Sequence, residues 1–143
     1  MVAKLLIALS LTAVCVVMHA IGITWAMRWS RARVRRASRF SHWMLLFIRI
    51  AAWVIVVHLL EVTVWGVFYA RTGGMPDFES ATYFSAVTYT TTGYGDLTLP
   101  REWQLVGAVE ALTGILMCGW STGFFFAVLG RMFEIGSSSV DVP

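Results

Sequence analysis

Thr90-Thr91-Thr92-Gly93-Tyr94-Gly95-Asp96 is the stretch on which the fold turns. Gly93 and Gly95 permit backbone angles that residues with side chains resist. Successive carbonyls, those of Thr91, Thr92, Gly93 and Tyr94, can then point the same way, toward an axis. The Thr91 hydroxyl adds one more oxygen at the inner end. A row of uncharged oxygens is what a dehydrated cation needs in place of its water. Non-helical backbone of this kind survives at membrane depth only when buried in protein or lining a watery path. The ring of Tyr94 is expected to point away from the axis and brace the loop against Tyr83 and Phe84.

Working outward, residues 78–89 form an apolar run of about twelve residues, too short to span a bilayer but suited to a re-entrant helix. Pro76 and Asp77 are sensible start residues, and Glu79 sits well in a first turn. The turn cluster Thr72-Gly73-Gly74-Met75-Pro76-Asp77 precedes them. The negative end of this short helix would point at the membrane centre and favour a cation there.

The rest of the chain supplies the membrane. Of 143 residues, 58% are apolar and 13% charged, against about 45–50% and about 25% in globular domains. Three stretches have the roughly 20 apolar residues that a membrane helix takes: about 2–27, 43–69 and 103–133. Trp25, Trp29, Trp43, Trp65 and Trp103 flank them as an aromatic belt would. Arg28, Arg31, Arg33, Arg35, Arg36 and Arg39 lie between the first two spans. By the positive-inside rule that linker is cytoplasmic, leaving the N-terminus outside, residues 71–102 outside and the C-terminus cytoplasmic. The irregular arginine spacing argues for an interfacial segment on anionic lipid, not a voltage-sensing helix. A signal peptide carries its charge before the apolar run, the reverse of the first span. No nucleic-acid-binding face is expected.

The seven-residue string, with the short helix before it and the apolar span after it, resembles the tetrameric potassium channels. The closest likeness is to small prokaryotic pore modules built as outer helix, pore helix, filter and inner helix, over about residues 43–133. In that family four filter loops replace the hydration shell of potassium with carbonyl oxygens. The resemblance implies an all-α membrane protein: three transmembrane helices, a re-entrant pore helix and a filter loop per chain, assembled as a tetrameric pore. It divides the chain into an accessory N-terminal helix (1–29), a basic cytoplasmic linker (30–42), the pore domain (43–133) and a short cytoplasmic tail (134–143). Within the pore domain the outer helix is expected at 43–70, the pore helix at 77–89, the filter at 90–96 and the inner helix at 102–133.

Residue by residue, the resemblance implies potassium binding by Thr91, Thr92, Gly93 and Tyr94, with Gly95 completing the filter. Asp96 matches the acidic residue that follows the filter in selective members, and is expected to support it together with Tyr83, Phe84 and Glu110. The family usually has Val or Ile where this chain has Thr92, which keeps the carbonyl and adds a hydroxyl. Gly114 falls where the family has its gating hinge; close helix packing of small residues is the competing reading. Ile115, Cys118, Thr122 and Phe126 share one helical face and are implied to line the cavity or gate.

His58 and Glu61 lie one turn apart on the second span, and Glu110 lies in the third; ionisable groups at such depth are functional candidates by default. Glu110 is expected to face the pore helix or the outer helix. His19, His42 and His58 read as isolated, and Cys15 and Cys118 as small apolar residues. There is no nucleophile beside a base, no phosphate loop and no metal-ligand spacing, so neither an enzyme nor a cofactor is expected. The expected function is passive, selective potassium conduction by a homotetramer in the plasma (inner) membrane. A weakly selective cation channel and a non-conducting subunit are the alternatives.

Overall fold

The computed structural model describes residues 1–34 and 40–138. Four helices follow one another: α1 (Val2–Val34), α2 (Phe40–Arg71), α3 (Phe78–Tyr89) and α4 (Gln104–Ser138). No strand occurs among the described residues. Three segments are long and apolar enough to cross a bilayer, Val2–Ser30, Ser41–Arg71 and Gln104–Arg131. The chain is therefore an all-α membrane protein with one short helix between its second and third spans.

The helices run past the apolar stretches that define them. α1 continues through Ser30 to Val34, and α4 to Ser138, because helix propensity does not end where hydrophobicity does and Arg and Ala are strong helix formers. Most of the stretch expected as a linker is thus helical. Arg35, Arg36 and Arg39 lie outside the described residues, as does the end of the expected tail from Ser139.

α2 ends in a Gly-based cap. Gly73 has a φ of 70°, and the Gly74 amide donates to the Tyr69 carbonyl at 2.9 Å, which satisfies one of the carbonyls that a helix end leaves open. The chain then turns back, and α3 packs closely on α2. A Cβ at Gly66 would sit 3.0 Å from the Thr82 backbone, a tight contact, so Gly favours the close approach of these two helices.

α1 does not lie outside α2 as a loose addition. It packs on both α2 and α4, while α2 and α4 touch each other little. Polar ties run along its length. Lys4 bridges Glu102 at 3.3 Å and lies over the Trp103 ring. The Thr12 and Thr113 hydroxyls meet at 2.8 Å, and Trp53 Nε1 donates to the Gly22 carbonyl at 3.0 Å.

Two apolar clusters fill the interior. One, around Trp65, Tyr69, Tyr89, Val106 and Met117, surrounds α3. The other, around Ile23, Ile50, Val54, Phe124 and Val128, lies toward the opposite ends of the long helices. Only 22–33% of each spanning window is buried within the chain. The remaining apolar surface needs lipid or other chains to cover it.

α3 and α4 meet at Gly114, where an added Cβ would collide with the carbonyl of Tyr89. That contact is backbone against backbone and has no flexible end to give way. The structure thus gives Gly114 a packing role, whereas Gly119, five residues on, faces open space. Gly114→Ala is expected to lower the thermal unfolding midpoint of the detergent-solubilised protein by several degrees or to prevent folding. Gly119→Ala should leave it unchanged or slightly raised, since Ala is the better helix former by about 1 kcal/mol.

Candidate functional site

The site begins with the cap of α3. Asp77 sits in extended backbone, and its carboxylate accepts the Ser80 amide N–H at 2.8 Å and the Ser80 hydroxyl at 3.0 Å. The Ser80 amide holds the Asp77 carboxyl below its ordinary range. This fixes where a three-turn helix starts and hence where it ends.

At the other end the chain leaves α3 without losing contact with it. The Thr91 amide donates to the Thr88 carbonyl at 2.9 Å and the Gly93 amide to the Val87 carbonyl at 3.2 Å. The Thr90 hydroxyl donates to the Ala86 carbonyl at 2.7 Å and meets the Thr92 hydroxyl at 2.9 Å. Beyond Thr90 the handedness alternates: φ is 60° at Thr91, 55° at Gly93 and 76° at Gly95, with Thr92 and Tyr94 between them at negative φ. Alternation of left- and right-handed residues gathers the amide N–H groups on one edge of a chain and so the carbonyls on the other. Gly93 and Gly95 are needed for it, as the sequence implies. Thr91 is the addition: a β-branched residue held in the left-handed region, a strained conformation that marks functional loops.

Every residue from Thr90 to Asp96 is exposed within the single chain. Tyr94 is 72% exposed and does not brace Tyr83 or Phe84 as expected. Those two rings have other partners. Tyr83 donates its hydroxyl to Asp96 Oδ2 at 2.7 Å, and Phe84 packs edge-on to Tyr69 at 5.3 Å between centroids. The Tyr83–Asp96 bond straps the far end of the loop to the middle of α3. A cavity of about 120 Å³ lies between loop and helix, lined by Tyr83, Phe84, Val87, Thr88, Gly93 and Asp96 among others.

Glu110 is fully buried and stands behind α3. It accepts the Tyr69 hydroxyl of α2 at 2.7 Å, and its other oxygen lies 2.5 Å from the Ser85 hydroxyl of α3. Ser85 in turn reaches the Val62 carbonyl at 2.8 Å. One carboxyl therefore joins three helices behind the loop. Along α4, Ile115, Cys118, Thr122 and Phe126 lie exposed, with the Thr122 hydroxyl turned back on the Cys118 carbonyl at 2.9 Å. They remain available to a cavity or a neighbouring chain.

The histidines correct the sequence reading. His42 is exposed, but His19 and His58 are not isolated. His19 Nδ1 lies 3.0 Å from Glu61 Oε1, His58 Nδ1 lies 3.0 Å from the Tyr89 hydroxyl, and both Nε2 atoms lie 3.1 Å from Ser121 Oγ. Tyr89, the last residue of α3, donates to Glu61. The group falls between the two apolar clusters and joins all four helices. Ligand-type atoms of His19, His58 and Glu61 come within 4.8 Å of one another, yet each has a hydrogen-bonding partner within the group. Sequence spacing hides this arrangement, since only His58 and Glu61 are neighbours along the chain.

Near the end of α1, Arg33 lies over the Trp29 ring at 4.3 Å and is exposed, an aromatic-basic pair suited to a membrane interface.

Two predictions follow from these contacts. The Tyr83 hydroxyl holds the Asp96 carboxyl below the usual carboxylate range. The strap is therefore intact above that range and is lost as pH falls through the lowered value. In Tyr83→Phe, a carbon-13 titration of the Asp96 carboxyl should move to higher pH, and an unmoved titration would refute the strap. Glu110→Ala leaves the buried Tyr69 hydroxyl without its partner, at a cost of about 1–3 kcal/mol, while Ser85 keeps the Val62 carbonyl. Its denaturant midpoint should fall well below that of Glu110→Gln, which keeps an acceptor.

A family model described as an ion channel matches residues 43–131, which is well over half of the chain and runs from the start of α2 through the spanning part of α4. No curated protein and no solved structure matches.

Proposed function

The chain belongs to the ion channel family, and we propose that it conducts potassium passively and selectively as a homotetramer. The observation that carries this reading is the alternating backbone of Thr91, Gly93 and Gly95 on a loop anchored to the end of a half-length helix. Such a loop presents carbonyls in a row, and rows of carbonyls from four chains replace the hydration shell of potassium. The ligands are the carbonyls of Thr91, Thr92, Gly93 and Tyr94, with the Thr91 hydroxyl at the inner end and Gly95 closing the row.

One chain contributes one loop, and its exposed edge supports closure around an axis by further copies. Tyr94, 72% exposed and with no partner ring among the described residues, is then free to pack on the next chain. Ile115, Cys118, Thr122 and Phe126 line the cavity beneath. The C-terminal end of α3 points its partial negative charge toward a waiting cation. Residues 43–133 form the pore domain, and the linker and tail on either side are cytoplasmic. The loop and the Lys4 end of α1 lie outside a plasma membrane, with Arg28, Arg31, Arg33, Arg35, Arg36 and Arg39 on anionic lipid inside.

Purified chain in liposomes should pass potassium faster than sodium by ~10-fold or more, a discrimination of about 1.4 kcal/mol. Native mass spectrometry should give four copies. Gly95→Ala places a side chain at a φ of 76°, at a cost of about 1–2 kcal/mol, and should abolish the discrimination. Equal fluxes of the two ions would make the protein a weakly selective channel. No flux from a folded assembly would make it a modulatory subunit.

A further inference from the structure

We propose that Glu61, His19, Ser121, His58 and Tyr89 form a closed hydrogen-bonded ring that binds one proton, and that this proton locks α1 to the base of the filter. The ring has five edges. Glu61 Oε1 meets His19 Nδ1 at 3.0 Å; His19 Nε2 meets Ser121 Oγ at 3.1 Å; Ser121 Oγ meets His58 Nε2 at 3.1 Å. His58 Nδ1 meets the Tyr89 hydroxyl at 3.0 Å, and Tyr89 closes the ring on Glu61 Oε2.

Each edge needs one hydrogen. With Glu61 ionised and both imidazoles neutral, His19, His58, Tyr89 and Ser121 bring one hydrogen apiece. Four hydrogens cannot make five bonds, whichever tautomers are drawn, so one edge would set lone pair against lone pair. A fifth proton, on either imidazole or on Glu61, fills the ring. Tyr89 and Ser121 keep their own hydrogens throughout.

Charge gives the same count independently. Without the fifth proton the ring is a net anion in a region where Glu61, His19, Ser121 and Tyr89 are all buried, and an uncompensated charge there is costly. With it the ring is neutral. Among the described residues, the groups facing the ring add no compensating charge. α1 contributes Cys15 and α4 contributes Cys118, both within electrostatic reach of Glu61, and the Trp120 ring lies against His19. α2 contributes only His58 and Glu61 themselves, and α3 only Tyr89.

The consequence is mechanical. Tyr89 is the last residue of α3, and the ring ties it to α1 through His19, to α2 through His58 and Glu61, and to α4 through Ser121. Losing the proton opens one edge beneath the loop. α1, which the ion channel match does not include, thereby gains a direct hold on the pore helix. The effect on conduction rests on the channel reading proposed above; the proton site itself does not.

Glu61→Gln separates the two. A glutamine brings an N–H in place of the missing proton, so the ring closes with both imidazoles neutral and no net charge. Thermal unfolding of the full chain in detergent is followed between about pH 7.5 and about pH 9.5, above the ordinary histidine range, so that the imidazoles of the unfolded chain are already neutral in both proteins. The wild-type midpoint should fall by about 4 °C or more as pH rises, a change of order 1 kcal/mol, and Glu61→Gln should remain flat. Nitrogen-15 NMR of labelled histidine should show ring nitrogens of His19 or His58 losing a proton in step with that fall, with exposed His42 as reference. Identical pH profiles for the two proteins would overturn the proposal. So would a rise of the wild-type midpoint on adding zinc that Glu61→Gln lacks, because the ring would then hold a divalent cation. Should liposomes carry no potassium flux at any pH, the channel reading fails while the unfolding and NMR results still decide the ring.

Discussion

A helix that stops halfway across an apolar layer leaves its last carbonyls, and all the backbone after it, without water to fall back on. Everything around α3 answers that constraint. Its start is fixed by Asp77, so its end falls at a set depth. Its side chains Ser85 and Tyr89 turn inward to carboxyl groups on α4 and α2. The loop that follows hooks two amides back onto the helix and leaves its carbonyls free. In a soluble protein such a loop would simply be hydrated. Among the described residues those carbonyls have no partner, so within an apolar layer they call for an ion or a neighbouring chain.

The same constraint explains why two glutamates survive inside the layer. A lone carboxylate there would be costly, but neither is alone. Glu110 gathers hydroxyls of α2 and α3, and Glu61 gathers groups from α1, α2 and α3. Apolar packing between membrane helices is weakly selective, because lipid tails pack nearly as well as leucine does. Polar groups that can be satisfied in only one arrangement therefore specify register. Glu110 sets α4 against α3 and α2 near the filter, and the Glu61 ring sets all four helices one level further in. Gly66 and Gly114 complete the specification by letting backbones approach where a side chain would crowd them.

The short helix and the glycine-bearing loop after it were legible in the sequence because their information is local: two glycines, an acid and a short apolar run within some twenty residues. The spans were legible because a bilayer imposes length and hydrophobicity directly. The direction of Glu110 followed from helical rotation. What could not be read was set by contacts between distant residues. His19 and Glu61 are separated by 42 positions, and His19 and Ser121 by 102, so no spacing pattern joins them. The left-handed Thr91 was invisible for another reason. Threonine disfavours that region, and only the hold of α3 on the neighbouring amides keeps it there. Gly114 was ambiguous between hinge and contact until the carbonyl of Tyr89 occupied the space beside it.

α1 is the element whose place the sequence left most open, and its contacts argue that it belongs to the machinery of the pore. A helix held only by lipid-like packing would need no polar ties, and each such tie between membrane helices contributes only about 0.6–2 kcal/mol. α1 has them at three levels: Lys4 with Glu102 and Trp103, Thr12 with Thr113, and His19 in the ring. All three reach α4, the turn that leads into it, or the groups behind α3, the parts of the chain nearest the proposed ion path. The remaining tie, Trp53 to Gly22, fixes α1 against α2. A displacement of α1 therefore cannot leave Tyr89 and Ser121 undisturbed. The N-terminal helix and the end of α3 form one hydrogen-bonded unit, and the proposed change of proton number at its centre would act on both.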